Sequence, residues 1–313
     1  MSKHSVKWSR FGPQKQPYIG RYAPTPSGPL HFGSLVAAVG SYLQARKNKG
    51  LWLLRIEDID PPREVPGATT AIIHTLEAYG FEWDGDISYQ SQRLEYYAAA
   101  LTQLKQKQQL YACSCSRKFL LKTAQHGQYG VIYPGTCRHN HSTELEQQHS
   151  LRLKTQSQKT CFTDLLQGDY CQNIATDIGD FIVKRSDGLY SYQLAIVVDD
   201  MLQGITEIVR GADLLDSTPR QIYLQQQLDY PSPNYMHLPI ACNSQGQKLS
   251  KQHHAKPLTD KHPVLNLCKA MKFLGFKVTT EIKESSIADF WTWAIDIWDI
   301  SKVPTKNDTI VSS

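Results

Sequence analysis

Apolar residues at Leu35, Val36, Val39, Tyr42 and Leu43 recur at helical spacing through the run SLVAAVGSYLQARK. Apolar runs of strand length flank it, at 18–22 and at 51–56. The pattern predicts a strand–helix–strand unit. Further helices are predicted at about 68–79 and 91–109, and strand character resumes at 151–154. DLLQGDYCQN places a turn between short strands. Asp187-Gly188, between apolar runs, signals a hairpin whose second strand carries Tyr192. Residues 205–210 read as a strand, and Ser217 with Pro219 opens a helix that holds Ile222, Tyr223 and Leu228. Residues 237–242 read as another strand, and the remainder is helical before it frays. Alternating strands and helices predict an α/β fold.

One connection in this plan is unusual. PTPSGPLHFGS, at 24–34, holds three prolines, two glycines and one histidine between the first strand and the first helix. Prolines remove backbone donors and freedom, so a plain connector is poorly served by them. The segment feeds a helix N-terminus, where backbone N–H groups can hold phosphate. In open α/β sheets, ligands sit beyond the carboxyl ends of the strands. The acidic turn EDIDPPR, which follows the second predicted strand, belongs at that same end.

Composition narrows the classes. A net charge of +5 is mildly basic and by itself names no partner. Six tryptophans and sixteen tyrosines speak for a folded chain. No apolar run is long enough to span a bilayer, and residues 1–17 form a loose polar arm without an apolar signal core. A soluble cytoplasmic monomer is expected. Seven cysteines, an odd number, argue against a disulfide framework. Cys113, Cys115 and Cys137 lie in a Cys/His/Gly-rich stretch at 112–149 that reads as an insertion. Zinc takes four ligands, and from chemistry alone His139 or His141 is the candidate for the fourth. Cys161, Cys171, Cys242 and Cys268 read as packing residues.

Several motifs then fall in one order. HFGS at the end of the proline-rich loop resembles the first ATP-binding motif of class I aminoacyl-tRNA synthetases, and KLSKQ at 248–252 resembles their lysine-bearing motif. GRYAPTPSGPLHFGSL, RIEDIDPPR and EIVRGADLLDSTPRQ resemble the glutamyl branch of that class. Ser34 and Gln252 depart from the more usual histidine and serine at the ends of the two ATP motifs. The chemistry the resemblance implies is attack of a carboxylate on the α-phosphorus of ATP, helped by positioning and by positive charge. For it the residues on the ATP side are His31, Gly33, Ser34, Lys248 and Lys251, with Mg²⁺ accompanying ATP. Glutamate carries two carboxylates and one ammonium, so its pocket needs arginines, a carboxylate and hydroxyls. Arg21, Tyr22, Ala23, Pro24, Thr25, Glu57, Tyr192 and Arg210 match the family's glutamate contacts in type and context. For the thiols, the resemblance implies Tyr133 as the fourth ligand of one structural zinc, through Cys-x-Cys followed by Tyr-x-x-x-Cys.

Length selects a branch. Only residues 253–313 follow KLSKQ, too few for a helical anticodon-reading domain. The expected plan is an arm at 1–17, a Rossmann-like half at 18–111, a zinc-binding insertion at 112–149, the second half with the lysine loop at 150–256, and a helical segment at 257–313. A catalytic half with this plan resembles the glutamyl-queuosine tRNA(Asp) synthetase family. That resemblance implies tRNA-independent formation of glutamyl-adenylate and transfer of glutamate to queuosine in the anticodon of tRNA(Asp). The alternatives are a truncated enzyme that charges the 3′ end of tRNA, and a non-catalytic RNA-binding paralogue.

Overall fold

The computed structural model describes residues 17–139, 149–242, 256–305 and the backbone of 308–310. It opens with β1 (Ile19–Tyr22), α1 (Phe32–Lys47), β2 (Leu51–Ile56), α2 (Ala68–Ala78), β3 (Ser88–Tyr89) and α3 (Leu94–Gln106). β1 pairs in parallel with β2, and β2 with β3. There follow β4 (Leu110–Cys113), α4 (Arg117–Thr123), the two-residue strands β5 (His126–Gly127) and β6 (Gly130–Val131), and β7 (Ser150–Leu153). β4 and β7 are antiparallel partners, so the chain leaves for the cysteine-rich stretch and returns from it on adjacent strands.

The second half adds the hairpin β8 (Lys159–Asp164) and β9 (Gly168–Asn173), α5 (Ile174–Asp177), β10 (Phe181–Lys184), α6 (Tyr192–Leu202), β11 (Glu207–Gly211), α7 (Thr218–Leu228), β12 (Asn234–Leu238) and β13 (Ile240–Cys242). β11 and β12 pair in parallel, in the register Arg210 opposite His237. β11 lies beside β1, where Thr206 N donates to Ile19 O at 2.9 Å. The parallel strands therefore run in the order β12–β11–β1–β2–β3, with the reversal of strand order at β1 and β11. Such a reversal opens a crevice at the carboxyl ends of the strands.

The chain closes with α8 (Pro263–Phe273), α9 (Thr280–Lys283), α10 (Ile287–Ile297) and β14 (Asp308–Ile310). These helices share one core with the first sheet. Trp291 packs against Tyr42 and Phe81, and its Nε1 donates to Tyr79 O at 3.0 Å. α1 is thus covered on both faces, which is why Leu35 through Ala45 are buried almost without a break. Gly40 lets α1 pack closely there: a Cβ at that position would lie 2.5 Å from Leu238 Cδ1, so that side chain would have to shift. No helix among the described residues is long and apolar enough to cross a membrane.

Two expectations are corrected. QLAIVVDD is helical, not a strand, and Tyr192 stands at the first turn of α6. Leu194 through Asp200 are all buried, and a helix apolar on every side reads in sequence like a buried strand. The Ser191 hydroxyl decides the matter locally by accepting from Leu194 N at 3.3 Å. The second correction concerns Cys161 and Cys171, which are exposed and joined as a disulfide. They are register partners across β8 and β9, so the hairpin brings them together instead of the core. Cys242 and Cys268 are buried and take no part in a disulfide among the described residues, as packing residues should.

Candidate active site

The proline-rich loop is fastened along its length. Glu57 N donates to Pro24 O at 3.0 Å, Val65 N to Pro26 O at 3.0 Å, and Leu258 N to Leu30 O at 2.9 Å. Carbonyls accept what prolines cannot donate, so the loop is rigid through its neighbours. Gly28 adopts φ 129°, a conformation that favours glycine. His31 is the N-cap of α1: its Nδ1 accepts from Gly33 N at 3.1 Å. A neutral imidazole used this way carries its proton on Nε2. The cap thus offers a donor at the positive end of a long helix.

A cavity of about 770 Å³ opens at this point. Arg21, Tyr22, Ala23, Pro24 and Thr25 line it from the end of β1 and the loop, with His31 and Ser34 from the start of α1. Glu57 comes from the end of β2, Tyr192 from the head of α6 and Arg210 from the end of β11. Gly33 is held in the N-terminal turn of α1 by the His31 cap. Lys248 and Lys251 lie outside the described residues, as does His141.

Three charged residues of the cavity, Arg21, Arg210 and Glu57, are almost fully buried. Arg21 is 3% exposed, Arg210 5% and Glu57 6%, so each charge depends on its neighbours. Asp200 of α6 takes Arg21 Nε at 3.1 Å and Arg55 Nη2 at 2.8 Å. Against the upward push of burial, these two guanidinium groups hold Asp200 below the usual carboxylate range. Glu57 has the opposite balance. Burial raises it to about 7, opposed by Arg55 and Arg21 and reinforced by Asp200 and Asp199. Its Oε1 stands 3.6 Å from Arg55 Nη2 and has no hydrogen-bond partner among the described residues. A buried acceptor so placed suits a cationic ligand group.

Arg210 is positioned by a buried chain that crosses to the neighbouring strand. Its Nε donates to His237 Nε2 at 3.1 Å, and its Nη2 donates to Thr218 Oγ1 at 2.8 Å. His237 Nδ1 lies 2.6 Å from Asp164 Oδ2 and donates to it. Burial lowers the His237 pKa to about 4, so the ring is neutral and accepts from the arginine. Arg210 Nη1 has no partner among the described residues. A neutral acceptor holds the guanidinium without cancelling its charge, which leaves that charge for a ligand.

The three cysteines of the insertion converge as well. The Sγ atoms of Cys113, Cys115 and Cys137 lie within 4.8 Å of one another. Tyr133 Oη is 3.3 Å from Cys113 Sγ and accepts from Cys137 N at 3.0 Å. His139 is exposed and is not in the cluster. Arg152 lies over the Tyr133 ring, 3.7 Å from its centroid. Burial pushes Cys137 up, but hydrogen bonds from Ser114, Tyr133 and Cys115 outweigh it and bring the thiol to about 7.

Sequence reasoning missed Arg63 and the apolar wall of Ile196, Val209 and Leu214. It also missed the supports Asp164, Asp200, Thr218 and His237. Arg63 was within reach, since it ends the motif RIEDIDPPR. The supports carry no local signal, because each acts on a residue distant in the chain.

The fold and these residues can be set beside known proteins. The family described as tRNA synthetases class I (E and Q), catalytic domain, matches residues 19–284. The chain is 51% identical over 293 residues to the glutamyl-Q tRNA(Asp) synthetase of Dechloromonas aromatica, covering 93% of this chain and 97% of that one. It is 48% identical over 289 residues to the protein of that name from Pseudomonas paraeruginosa, covering 92% and 96%. Glutamate-tRNA synthetase from Elizabethkingia anophelis has a similar fold, with a TM-score of 0.79 at 22% identity over 95% of this chain and 68% of that one.

Proposed function

The chain belongs to the glutamyl-Q tRNA(Asp) synthetase family of class I tRNA synthetases, and from that premise we propose that it activates glutamate with ATP and transfers it to queuosine in tRNA(Asp). The observation that carries the reading is the cavity itself. Two buried arginines and a carboxyl near pH 7 face one space beside a histidine-capped helix N-terminus. That set matches an amino acid with two carboxylates and one ammonium.

In the first step a glutamate carboxylate oxygen forms a bond to the α-phosphorus of ATP, and the bond to pyrophosphate breaks. Arg21 and Arg210 hold carboxylates, and Tyr192 supplies a hydroxyl that burial keeps protonated. Glu57 accepts the ammonium, and the approach of that cation drives its own proton off. Tyr22, Ala23, Pro24 and Thr25 shape the glutamate side. His31 donates from Nε2 toward phosphate, with Gly33 and Ser34 beside it, and Lys248 and Lys251 neutralise charge on the leaving group. Mg²⁺ supplies further charge neutralisation when bound with ATP. In the second step a hydroxyl of queuosine attacks the acyl carbon, its proton is lost, and AMP leaves. No RNA is needed for the first step, and a monomer in the cytoplasm performs both.

Three thiols with a phenol at hydrogen-bond distance form a donor set that fits zinc. Cys113, Cys115, Cys137 and Tyr133 would hold one ion, which would tie the insertion together as a structural zinc.

The test is transfer of labelled glutamate, with ATP and Mg²⁺, to bulk tRNA with and without queuosine. Label on queuosine-containing tRNA alone is the expected result. Equal label on both preparations overturns the reading in favour of charging at the 3′ end.

A further inference from the structure

Cys161 and Cys171 are joined on the exposed face of the β8–β9 hairpin. The next register pair, Phe162 with Tyr170, faces the opposite way, as alternation along a strand requires. That inner face carries the supports of Arg210. Phe162 packs against the rings of Tyr235 and His237, with centroids 5.5 and 6.3 Å away. Asp164, two residues on, takes His237 Nδ1 at 2.6 Å and His237 N at 3.1 Å. Gln167 Nε2 donates to His237 O at 2.7 Å, and Leu165 N to Tyr235 O at 2.9 Å. Tyr170 Oη donates to Asp216 Oδ1 at 2.6 Å, in the segment between β11 and α7.

The hairpin is otherwise a light structure. β9 pairs with β8 alone among the described residues, and a two-stranded ribbon is marginal without further support. The sulfur–sulfur bond therefore ties the strand that grips His237 to the strand that grips Asp216. It is also within reach of solvent. Both of its cysteines are exposed, whereas Cys242 and Cys268 are buried and Cys113, Cys115 and Cys137 belong to the thiol cluster. Exchange with a small thiol requires such access. Reduction leaves the two residues opposite each other in the ladder, so the bond can form again without refolding.

We infer that Cys161 and Cys171 are a reversible thiol–disulfide pair whose state sets how firmly the hairpin holds His237 behind Arg210, and so the affinity for glutamate. The inference rests on Arg210 meeting glutamate, as proposed above. The reductant is a small thiol of the glutathione class. One thiolate attacks a sulfur of the pair, forms a mixed disulfide and releases the other cysteine as a thiolate. A second thiolate attacks the sulfur contributed by the first small thiol, so that the remaining cysteine leaves and a small disulfide is formed. The two protons given up by the small thiols pass to the two cysteines, and two electrons have moved to the protein. Oxidation by the small disulfide runs the same steps backwards.

In the experiment, the full chain is equilibrated with reduced and oxidised glutathione in varied ratio, and its thiols are alkylated and mapped by mass spectrometry. The same samples are assayed for glutamate-dependent ATP–pyrophosphate exchange. The ring proton on His237 Nδ1 is followed by NMR, assigned through its loss in His237→Gln. The pair is expected to open and close reversibly. Opening should raise the KM for glutamate about threefold and change kcat less than about twofold. The His237 proton should be lost to solvent about fivefold faster in the open state. Cys161→Ser/Cys171→Ser keeps the cluster thiols and should match the reduced wild type in every buffer. A pair that is never oxidised overturns the inference. So does a bond that opens while KM and the His237 proton stay as they were, since its role is then only structural. A redox response that persists in the double variant overturns it as well, by moving the response to the cluster. Should the double variant fold poorly, the wild-type titration decides by the same readouts. No ATP–pyrophosphate exchange in either state would retire the proposed function, while the His237 proton would still report whether the pair controls the hairpin's hold.

Discussion

The active-site cavity and the thiol cluster are both small groups of buried polar side chains, yet they are held in opposite ways. In the cavity each functional residue is gripped from behind by protein: Arg21 by Asp200, Arg210 by His237 and Thr218, and the loop carbonyls by Glu57 and Val65. What remains is a few atoms, Glu57 Oε1 and Arg210 Nη1 among them, without partners among the described residues. In the cluster the residues hold chiefly one another, through Cys113 with Tyr133 and Cys115 with Cys137. A site that must bind and release substrates is organised before the ligand arrives. A site that closes around an ion is organised by the ion.

The contrast breaks first at Arg210. Arg210→Gln removes the charge and leaves His237 and Thr218 unmatched, so kcat/KM for glutamate in ATP–pyrophosphate exchange should fall by about 1,000-fold, or about 4 kcal/mol. A loss under about tenfold would mean that Arg210 does not meet the substrate.

His237 tests whether the grip from behind matters. His237→Ala should raise the KM for glutamate by about 30-fold while changing kcat little, since the arginine survives but loses its position. His237→Gln, which restores an acceptor, should recover part of this. An equal fall in kcat with unchanged KM would place the histidine in the chemistry instead. His237 also has a pH signature. Its pKa is about 4 when folded and 6.5 otherwise, so the unfolded chain binds the extra proton. Its contribution is full above pH 6.5 and is lost as pH falls through about 4, with an upper bound of about 3 kcal/mol. Denaturant melts from pH 7 to 4 should show a shallower decline in the Gln variant.

Glu57 sharpens the electrostatic half. It must be ionised to hold an ammonium, and its carboxyl sits at about 7 in the empty site. Exchange kcat/KM at low glutamate should therefore climb about tenfold between pH 6 and 8 and level off above. Glu57→Gln should be both weaker and flat across that range. A wild-type profile already flat from pH 6 would show the carboxyl to be ionised throughout.

The smallest effect on activation is expected at the cluster. Metal analysis should find one zinc per chain in the wild type and none in Cys137→Ser, which should also melt earlier. Its exchange rate should change less than twofold. Exchange abolished together with the metal would give the cluster a part in catalysis and erase the contrast.

Much of this was legible along the chain. Arg21 and Arg210 stand one residue before the ends of their strands and Glu57 just past the end of its own, and HFGS opens a helix, so a parallel sheet carries all of them to one edge whatever the details of packing. The Cys-x-Cys and Tyr-x-x-x-Cys spacings are local in the same sense. Local pattern misled on α6, where Leu194 through Asp200 are all buried, because a helix covered on every side has no polar stripe to mark its period. It misled also on Cys161 and Cys171, which read as packing residues although their partnership is a matter of strand register. It was silent on Asp164, His237 and Asp200. Which acceptor stands behind which arginine depends on strands and helices far apart in the chain meeting at one register, and the energy of a buried charge depends on those neighbours alone. The amino-acid order settles which chemical groups reach the edge of the sheet. The folded neighbourhood settles their protonation and their aim.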